Sequence, residues 1–531
     1  REWLRQLPPP RATTILVENI PPEERSDTKL LQCFEEIFKR DAVLSAHVVR
    51  RTGHLPELVA AAEAARHRLT EAEAEWGRSG RATDKRPTHV VRGGQKVDSI
   101  FCYGEEAKRA EQAVEEMQQG IRRAIGTARS NLMAGSGFVT FRRRRDAVLA
   151  LSLNIRRSDA ELQLSVPPDP QDVVYSDLAQ EPNEAMAWQC VGNLCIGAVF
   201  FLFTPITVGI ISITRLQTLQ KVVPLFDTIV QKYPQLHATW DGIVGSFVLN
   251  LVMGFVPTFF ALIFTHFFAL KSELWRQQRV QRWYFYFLLV FVLLVTAISS
   301  SFALIYLEVF HNPASVFTLL ASSLSGTAHF YMKYIMLQWA VEALELTRYI
   351  NLIKFLLYRT VNDQERARQL SEPEDQDYSG IGARSARLTL LLVIVLVFCT
   401  ISPVICLLGL LYFVQCRACY GYLLLFAEGR KRDLGGVFWC TQLKHVQLGM
   451  FIYVAVMVGE LLEQSATMRP GLVAAGAFAI LVPSYMHFSS IGWEQLSLEE
   501  AQACDDQPEQ KACCGTYEQP ELTALPSRLA G

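Results

Sequence analysis

The sequence predicts an α-helical polytopic membrane protein that carries one soluble α+β domain, and the distribution of residue types supports this fold class. Half of the 531 residues are hydrophobic, yet they are unevenly distributed. Residues 1–186 are rich in Arg and Glu, whereas residues 187–490 contain repeated apolar runs of membrane-spanning length. Residues 491–531 are polar. We therefore expect a soluble domain over 1–186, a membrane domain over 187–490 and a disordered tail over 491–531.

Within the soluble region, short β-branched runs alternate with helical patterns. The predicted elements are, in chain order, Thr14–Ile20 (strand), Lys29–Arg40 (helix), Leu44–Arg50 (strand), Pro56–Trp76 and Glu105–Ala128 (two long helices), Ser136–Phe141 (strand), Arg145–Leu153 (helix) and Glu161–Val166 (strand). The two long helices are expected to pair as a hairpin. Without this insertion the order is β-α-β-β-α-β, which predicts a ferredoxin-like fold, the layout of RNA-recognition modules.

The residues in the RNA-stacking positions of this layout argue against RNA binding. Leu16 and Ser136 stand where such modules carry aromatic residues, and Ala134 stands where a basic residue belongs. Only Phe138 is left to stack on a base. The formal net charge of −1 also provides little bulk attraction for nucleic acid. We therefore expect no nucleic-acid partner.

Eight apolar runs predict the membrane spans. They are Trp188–Ile213, Ile243–Phe267, Tyr284–Phe310, Ser315–Leu346, Leu388–Ile401, Val404–Phe426, Val446–Leu462 and Leu472–Phe488. An even number of spans places the soluble domain and the tail on the same side of the membrane. The connections on that side (residues 271–282, 348–387 and 430–444) are richer in Arg and Lys than the opposite connections. By the positive-inside rule, we expect the soluble domain to be cytosolic.

The fourth run combines apolar and charged residues. From Ala314 to Leu346 it is apolar enough to enter a bilayer, but it is longer than a hydrocarbon core of about 30 Å requires. It must therefore tilt, bend or protrude from the membrane, and the Ser325-Gly326 pair predicts a gating hinge at Gly326. Spacings of three and four residues place a polar set on one face of the helix: Tyr334, Gln338, Glu342 and Glu345.

Two interpretations of this polar face stay open, because carboxylates within a membrane are costly and often functional. The face is either a seam that holds neighbouring helices together or one wall of a water-filled path. Four polar residues on the first three spans are candidates for the same path, although each alone is typical of helix packing: Thr204, Thr207, Asn250 and Ser300. Glu345 falls near the cytosolic end of its span and either attracts cations or forms an interfacial ion pair. The candidate partners for that pair are Arg348 and Arg359.

Motifs for catalysis are missing from the sequence. It contains no nucleotide-binding fingerprint and no hydrolase signature. Its twelve cysteines show no zinc or disulfide framework. We therefore expect neither a cofactor nor an enzymatic activity.

Six stretches, taken in order, carry a resemblance to a known family. They are Thr14–Pro22 (TILVENIPP), Lys96–Tyr103 (KVDSIFCY), Gly137–Phe141 (GFVTF), Val166–Leu178 (VPPDPQDVVYSDL), Trp339–Glu345 (WAVEALE) and Leu434–Trp439 (LGGVFW). In this order they resemble the OSCA and transmembrane-protein-63 family of hyperosmolality-gated, calcium-permeable, stress-gated cation channels, which are relatives of the anoctamins. The resemblance covers nearly all of residues 10–490, and Tyr175 stands where the family usually has Trp.

The resemblance implies an anoctamin-like channel fold and a mechanically or osmotically gated, calcium-permeable cation channel. Family members carry three further spans ahead of the cytosolic domain, so we expect spans upstream of Arg1. Glu345 falls on the family's pore glutamate, whereas Asn250 stands where relatives often carry a basic residue. The implied partners are membrane lipids and permeant Ca2+, K+ and Na+, and a homodimer through the cytosolic domain is left open. Phospholipid scrambling through the same polar groove is the alternative function.

Overall fold

The chain forms two compact units. The computed structural model describes residues 2–39, 41–78, 86–90, 96–126, 132–153, 162–214, 253–295, 328–360, 364–371, 380–428, 436–465, 467–505 and 515–523. One unit is Ala187–Glu494, and the other combines Glu2–Met186 with Gln495–Gly531. The tail therefore belongs to the same unit as the soluble domain.

The soluble unit contains a four-stranded antiparallel sheet and a long helical hairpin. Its elements up to residue 178 are α1 (Glu2–Arg5), β1 (Thr14–Glu18), α2 (Asp27–Ile37), β2 (Val43–Arg50), α3 (Leu55–Arg78), β3 (Thr88–Val90), β4 (Lys96–Asp98), α4 (Ser99–Gly126), β5 (Met133–Phe141), α5 (Arg144–Ser152), β6 (Gln163–Ser165) and α6 (Tyr175–Leu178). The sheet has the order β2-β5-β1-β6, and β3 pairs with β4 separately. The eight predicted elements are confirmed with their ends shifted, whereas the β3–β4 pair is an addition.

One face of the sheet packs against α2 and α5. Leu30 and Phe34, one turn apart on α2, are buried together with Ala147 of α5. All nine residues of β5 are buried. Gly137 in β5 permits a close approach to β2, because a Cβ atom there would lie 2.9 Å from the carbonyl oxygen of His47. A central strand buried on both faces needs a cover on each side of the sheet.

The two long helices pair as the sequence predicts. Val59 of α3 packs in one apolar cluster with Val114 and Ile121 of α4. On the exposed side, the guanidinium of Arg68 lies 3.2 Å from the carboxylate of Glu106. The apolar seam holds the hairpin, because such an exposed ion pair contributes only about 0–1 kcal/mol.

The regular secondary structure of the membrane unit's described residues is helical. Its helices are α7 (Pro182–Thr214), α8 (Met253–Phe267), α9 (Glu273–Leu288), α10 (Ala328–Leu346), α11 (Tyr349–Arg359), α12 (Gln364–Ser371), α13 (Ile381–Phe398), α14 (Val404–Tyr422), α15 (Val437–Gln464), α16 (Arg469–Ala475) and α17 (Phe478–Ser490). In this part of the chain five segments are long and apolar enough to cross a membrane: Pro182–Phe203, Ile381–Phe398, Val404–Ala427, Val437–Gln464 and Arg469–Ser490.

Several predicted spans differ from these helices in their bounds. The predicted fifth span begins at Leu388, after two arginines, whereas α13 begins earlier and includes both. Arg384 and Arg387 are accommodated because they pair with Glu428 and Glu345. Helix α15 extends beyond both ends of the predicted seventh span, and the predicted eighth span is divided into α16 and α17. The second, third and fourth predicted spans lie partly outside the described residues.

Aromatic rings and one buried amide join the helices of the membrane unit. The ring of Phe203 on α7 lies 4.5 Å from Phe287 on α9. The side-chain amide of Gln281 on α9 donates to Ser385 on α13 at 2.6 Å and to the carbonyl oxygen of Phe438 on α15 at 3.2 Å. Beyond α9 the chain continues as a π-helix over Leu289–Val295.

The described residues of the tail, up to 505 and from 515 to 523, include the helices α18 (Leu498–Asp505) and α19 (Pro520–Thr523). The carboxylate of Asp505 accepts hydrogen bonds from the backbone N–H groups of Arg144 at 2.9 Å and Arg145 at 3.0 Å, at the start of α5. The sequence predicts disorder over 491–531, but the described part of this segment is ordered and partly helical. It packs on the soluble domain through isolated anchor residues that leave no periodic apolar pattern in the sequence.

Candidate functional site

Helix α10 turns its polar face towards the interior of the membrane unit. Tyr331, Gln338 and Glu342 are 0%, 4% and 1% exposed, while Met336 and Trp339 on the other side are exposed. The seven-residue and four-residue spacings place the three buried side chains on one face. Polar groups on a buried face require partners from the neighbouring helices.

Two hydroxyl groups of α14 hold the carboxylate of Glu342. The hydroxyl of Tyr412 donates to one oxygen at 3.2 Å, and the hydroxyl of Tyr420 donates to the other at 2.5 Å. A buried carboxylate without hydrogen bonds would be strongly unfavourable in apolar surroundings. The two tyrosine hydroxyl groups therefore offset part of the free-energy cost of burying the carboxylate of Glu342.

Glu345, one turn after Glu342, is shared between α13 and α14. Its carboxylate lies 3.5 Å from the guanidinium of Arg387, 42 positions away in the sequence, and 3.3 Å from the hydroxyl of Tyr420. A tyrosine hydroxyl has one proton and can donate it to only one carboxylate at a time. Tyr420 therefore couples the two carboxylates.

A second ion pair completes this group. Arg384 on α13 pairs with Glu428 after α14, and their side chains are 9% and 3% exposed. The guanidinium of Arg384 lies over the ring of Tyr420, 5.3 Å from its centre. We call these seven residues the carboxylate cluster: Glu342, Glu345, Arg384, Arg387, Tyr412, Tyr420 and Glu428. The cluster combines three carboxylates with two guanidinium groups, so acidic groups are in excess.

Tyr331 connects α10 to the π-helical segment that follows α9. Its hydroxyl lies 2.8 Å from the carbonyl oxygen of Leu293 and 3.1 Å from that of Val292. A π-helical segment interrupts the regular backbone hydrogen bonding of an α-helix, and such segments are common at functional sites. The hydroxyl provides a donor where this change of pattern occurs, so α10 and α9 are joined by more than apolar packing.

The remaining predicted residues are placed as follows. Tyr334 lies half-buried on α10. Thr204 and Thr207 lie on α7, and their side chains are outside the described part of the structure. Asn250, Ser300 and Gly326 lie outside the described residues. Among the described residues there is no group of three or more His, Cys, Asp or Glu side chains suited to holding a metal ion.

The sequence-based candidates omit the tyrosines of α14 and the arginines of α13. Tyr412 and Tyr420 are eight residues apart and so share one helix face, which is a detectable signal. Arg384 and Arg387 precede an apolar run and resemble ordinary boundary charges. Only their location beside the acidic residues distinguishes them from such charges.

Comparison with known proteins identifies two matching regions. Residues 189–461 match a family model described as "Calcium-dependent channel, 7TM region, putative phosphate". Residues 12–177 match a model described as "Cytosolic domain of 10TM putative phosphate transporter". Together these regions cover most of both compact units.

Individual relatives share this arrangement at low identity. The hyperosmolality-gated Ca2+ permeable channel 1.5 of Arabidopsis thaliana is 23% identical over 86% of this chain and 60% of its own length. Channel 1.7 of the same plant is 22% identical over 85% of this chain and 57% of its own length. A vacuolar transmembrane transporter of Penicillium rubens is 22% identical over 70% of this chain and 44% of its own length. The chain thus spans less than two thirds of each of these relatives.

Proposed function

Because the chain belongs to the calcium-dependent channel family that its membrane region matches, we propose that it forms a calcium-permeable cation channel gated by membrane tension or osmotic stress. It is a multi-pass membrane protein with a cytosolic domain, as the loop charges predict. The gating stimulus follows from the resemblance and from the names of the plant relatives. Its permeant ions are proposed to be Ca2+, K+ and Na+, and its other partners membrane lipids.

The single observation that carries the channel proposal is the carboxylate cluster. Its acidic residues lie among apolar helices, where charges are costly and commonly mark ion pathways. An excess of acidic groups attracts cations and repels anions. Glu345 is the member suited to this role, because its side chain is 23% exposed whereas Glu342 is buried.

The hydrogen bonds suggest how such a pathway would be held closed. Arg387 holds one oxygen of Glu345 at 3.5 Å, and the other oxygen lies 3.3 Å from the hydroxyl of Tyr420, whose single proton it shares with Glu342. Movement of α10 away from α13 and α14 would release this carboxylate towards a passing cation. Tension that separates the helices would thus expose a cation site, because the carboxylate of Glu345 would exchange its contact with Arg387 for a contact with a permeating cation.

Burial of the cluster favours an ion path over the scramblase alternative. A lipid headgroup needs a continuous polar groove that is open to the bilayer. Glu342 is 1% exposed and Glu428 has a side chain that is 3% exposed, so these carboxylates are enclosed by protein. Passage of a small cation requires less rearrangement of this site than passage of a headgroup.

Recording the full-length protein in stretched membrane patches tests the proposal. We expect cation-selective currents that rise with tension, together with no transfer of a fluorescent phospholipid in vesicles that contain the same preparation. Lipid transfer without current would replace the channel by the scramblase. Absence of both activities from a folded preparation would refute the proposal.

The fold details also belong to this proposal. We infer an anoctamin-like arrangement of the membrane unit from the family resemblance. The strand order β2-β5-β1-β6, with α2 and α5 against one face, supports a ferredoxin-like fold for the cytosolic domain. A homodimer through this domain stays a prediction, to be tested by the mass of the purified full-length protein.

A further inference from the structure

We propose that the second face of the cytosolic sheet is a peptide-recognition site for the pattern Tyr-x-Gln-Pro-x-Leu, and that the chain's own tail occupies it. The occupant is the tail segment, which we define as residues 515–523. Its three anchors, Tyr517, Gln519 and Leu522, are 3%, 6% and 7% exposed. The site does not depend on the proposed channel function, because it is defined by contacts within the soluble unit.

The first anchor occupies the position where an RNA base would stack. The ring of Tyr517 stacks on Phe138, with 4.6 Å between the ring centres and 24° between the planes. Tyr175 packs edge-on against the same phenylalanine at 6.3 Å. The hydroxyl of Tyr517 donates to the carbonyl oxygen of Pro168 at 2.7 Å. An aromatic slot with a hydrogen-bond acceptor at its end is suited to tyrosine. A phenylalanine in this slot would leave the carbonyl oxygen of Pro168 without this donor.

The second anchor recognises the backbone of β2. The amide of Gln519 accepts from the N–H of Arg50 at 2.8 Å and donates to the carbonyl oxygen of the same residue at 3.0 Å. Strand β2 lies at the edge of the sheet, so its outer backbone groups are available for pairing. A side chain must offer both a donor and an acceptor to make this pair, which selects an amide.

The third anchor enters the helical hairpin. Leu522 joins the apolar cluster formed by residues of α3 and α4, including Val59 and Val114. Around it, α4 donates to the peptide backbone: Gln118 to the carbonyl oxygen of Glu521 at 2.7 Å and Arg122 to that of Leu522 at 3.0 Å. Both carbonyl groups belong to the short helix α19, so α4 holds the backbone of this helix.

Three further features indicate a separable ligand instead of an integral part of the core. The tail segment contributes no strand to the sheet, and its regular structure is the four-residue helix α19. Its burial rests on three anchors within six residues, the arrangement of linear peptide motifs. A solvent-open cleft of about 240 Å³, lined by residues of β2 and of the tail segment, lies beside His47 and Glu518. This side of the tail segment is therefore solvated instead of packed against the domain.

Hydrogen exchange of the full chain tests whether the tail segment can be displaced. In Tyr517→Ala we expect amide exchange at residues 518, 519, 521 and 522 to accelerate about tenfold or more, since the stack and the hydroxyl contact are both lost. Exchange should also rise in β5 around Phe138. Thr516→Ala is the matched control, because this neighbouring side chain is exposed and its variant should exchange like the wild type.

A synthetic peptide of residues 515–523, added to the Tyr517→Ala protein, tests recognition in trans. The peptide should slow amide exchange in β5 again. A peptide in which Gln519 is replaced by Ala should slow this exchange by a factor at least about tenfold smaller at equal concentration. Unchanged exchange in the Tyr517→Ala protein would overturn the proposal. So would a loosened segment that the wild-type peptide fails to replace, or an opened face that binds an oligouridylate more tightly than the peptide.

Discussion

Replacing Glu345 by Gln should separate its charge from its shape. The ion pair with Arg387 is 3.5 Å long between side chains that are 23% and 27% exposed, so it contributes about 0–1 kcal/mol. Since about 1.4 kcal/mol is tenfold in an equilibrium, losing the pair should favour opening by at most about fivefold. The larger effect is on permeation, because a carboxylate attracts a monovalent cation at about 4 Å by roughly 4 kcal/mol at an effective dielectric constant of about 20.

The assay is the reversal potential of tension-evoked current in asymmetric salt. For Glu345→Gln we expect a shift towards non-selectivity and a conductance that falls most at low ionic strength, where screening is weak. Glu345→Asp keeps the charge and should keep most of the cation preference. Wild-type selectivity and conductance in Glu345→Gln, with only thermal stability reduced, would refute this reasoning. The carboxylate would then be structural, and the ion path would have to follow another face.

Three further predictions address the hydrogen bonds of the cluster, the predicted hinge and the tail segment. Tyr420→Phe should lower the free energy of unfolding by about 1–3 kcal/mol, because the buried carboxylate of Glu342 loses a donor; equal thermal stability of variant and wild type in detergent would contradict this. Gly326→Ala should shift the tension threshold with little change in single-channel conductance, since a Cβ restricts the backbone; an unchanged threshold would leave Gly326 a packing residue. Burial raises the pKa of Glu521, which lies near Tyr175, so docking of the tail segment should be strongest at low pH and weaken as the pH rises through this raised pKa. Glu521→Gln should therefore slow amide exchange in the tail segment at neutral pH and remove the pH dependence of docking. Faster exchange in this variant than in the wild type at the same pH would contradict the assignment.

Local patterns in the sequence were sufficient for the elements that depend on neighbouring residues. Short runs of β-branched and apolar residues predict β1, β2 and β5, because such side chains fit the pleated surface of a sheet. The three- and four-residue spacing predicts that Gln338 and Glu342 share a face of α10, and both are buried there. The charge of the loops predicts the cytosolic location of the soluble domain, since membrane orientation depends on the number of basic residues in each connection.

Tertiary structure decided which distant groups satisfy one another. The partners of Glu342 and Glu345 are Tyr420 and Arg387, which lie 42 to 78 positions away. No periodicity relates such residues, because their distance depends on how three helices pack and not on the spacing within any one of them. The tail shows the same limit, since Tyr517 and Gln519 acquire their burial only from the sheet and the helical hairpin. A buried polar group needs a hydrogen-bond partner. The sequence alone predicts this need but does not identify the residue that supplies the partner.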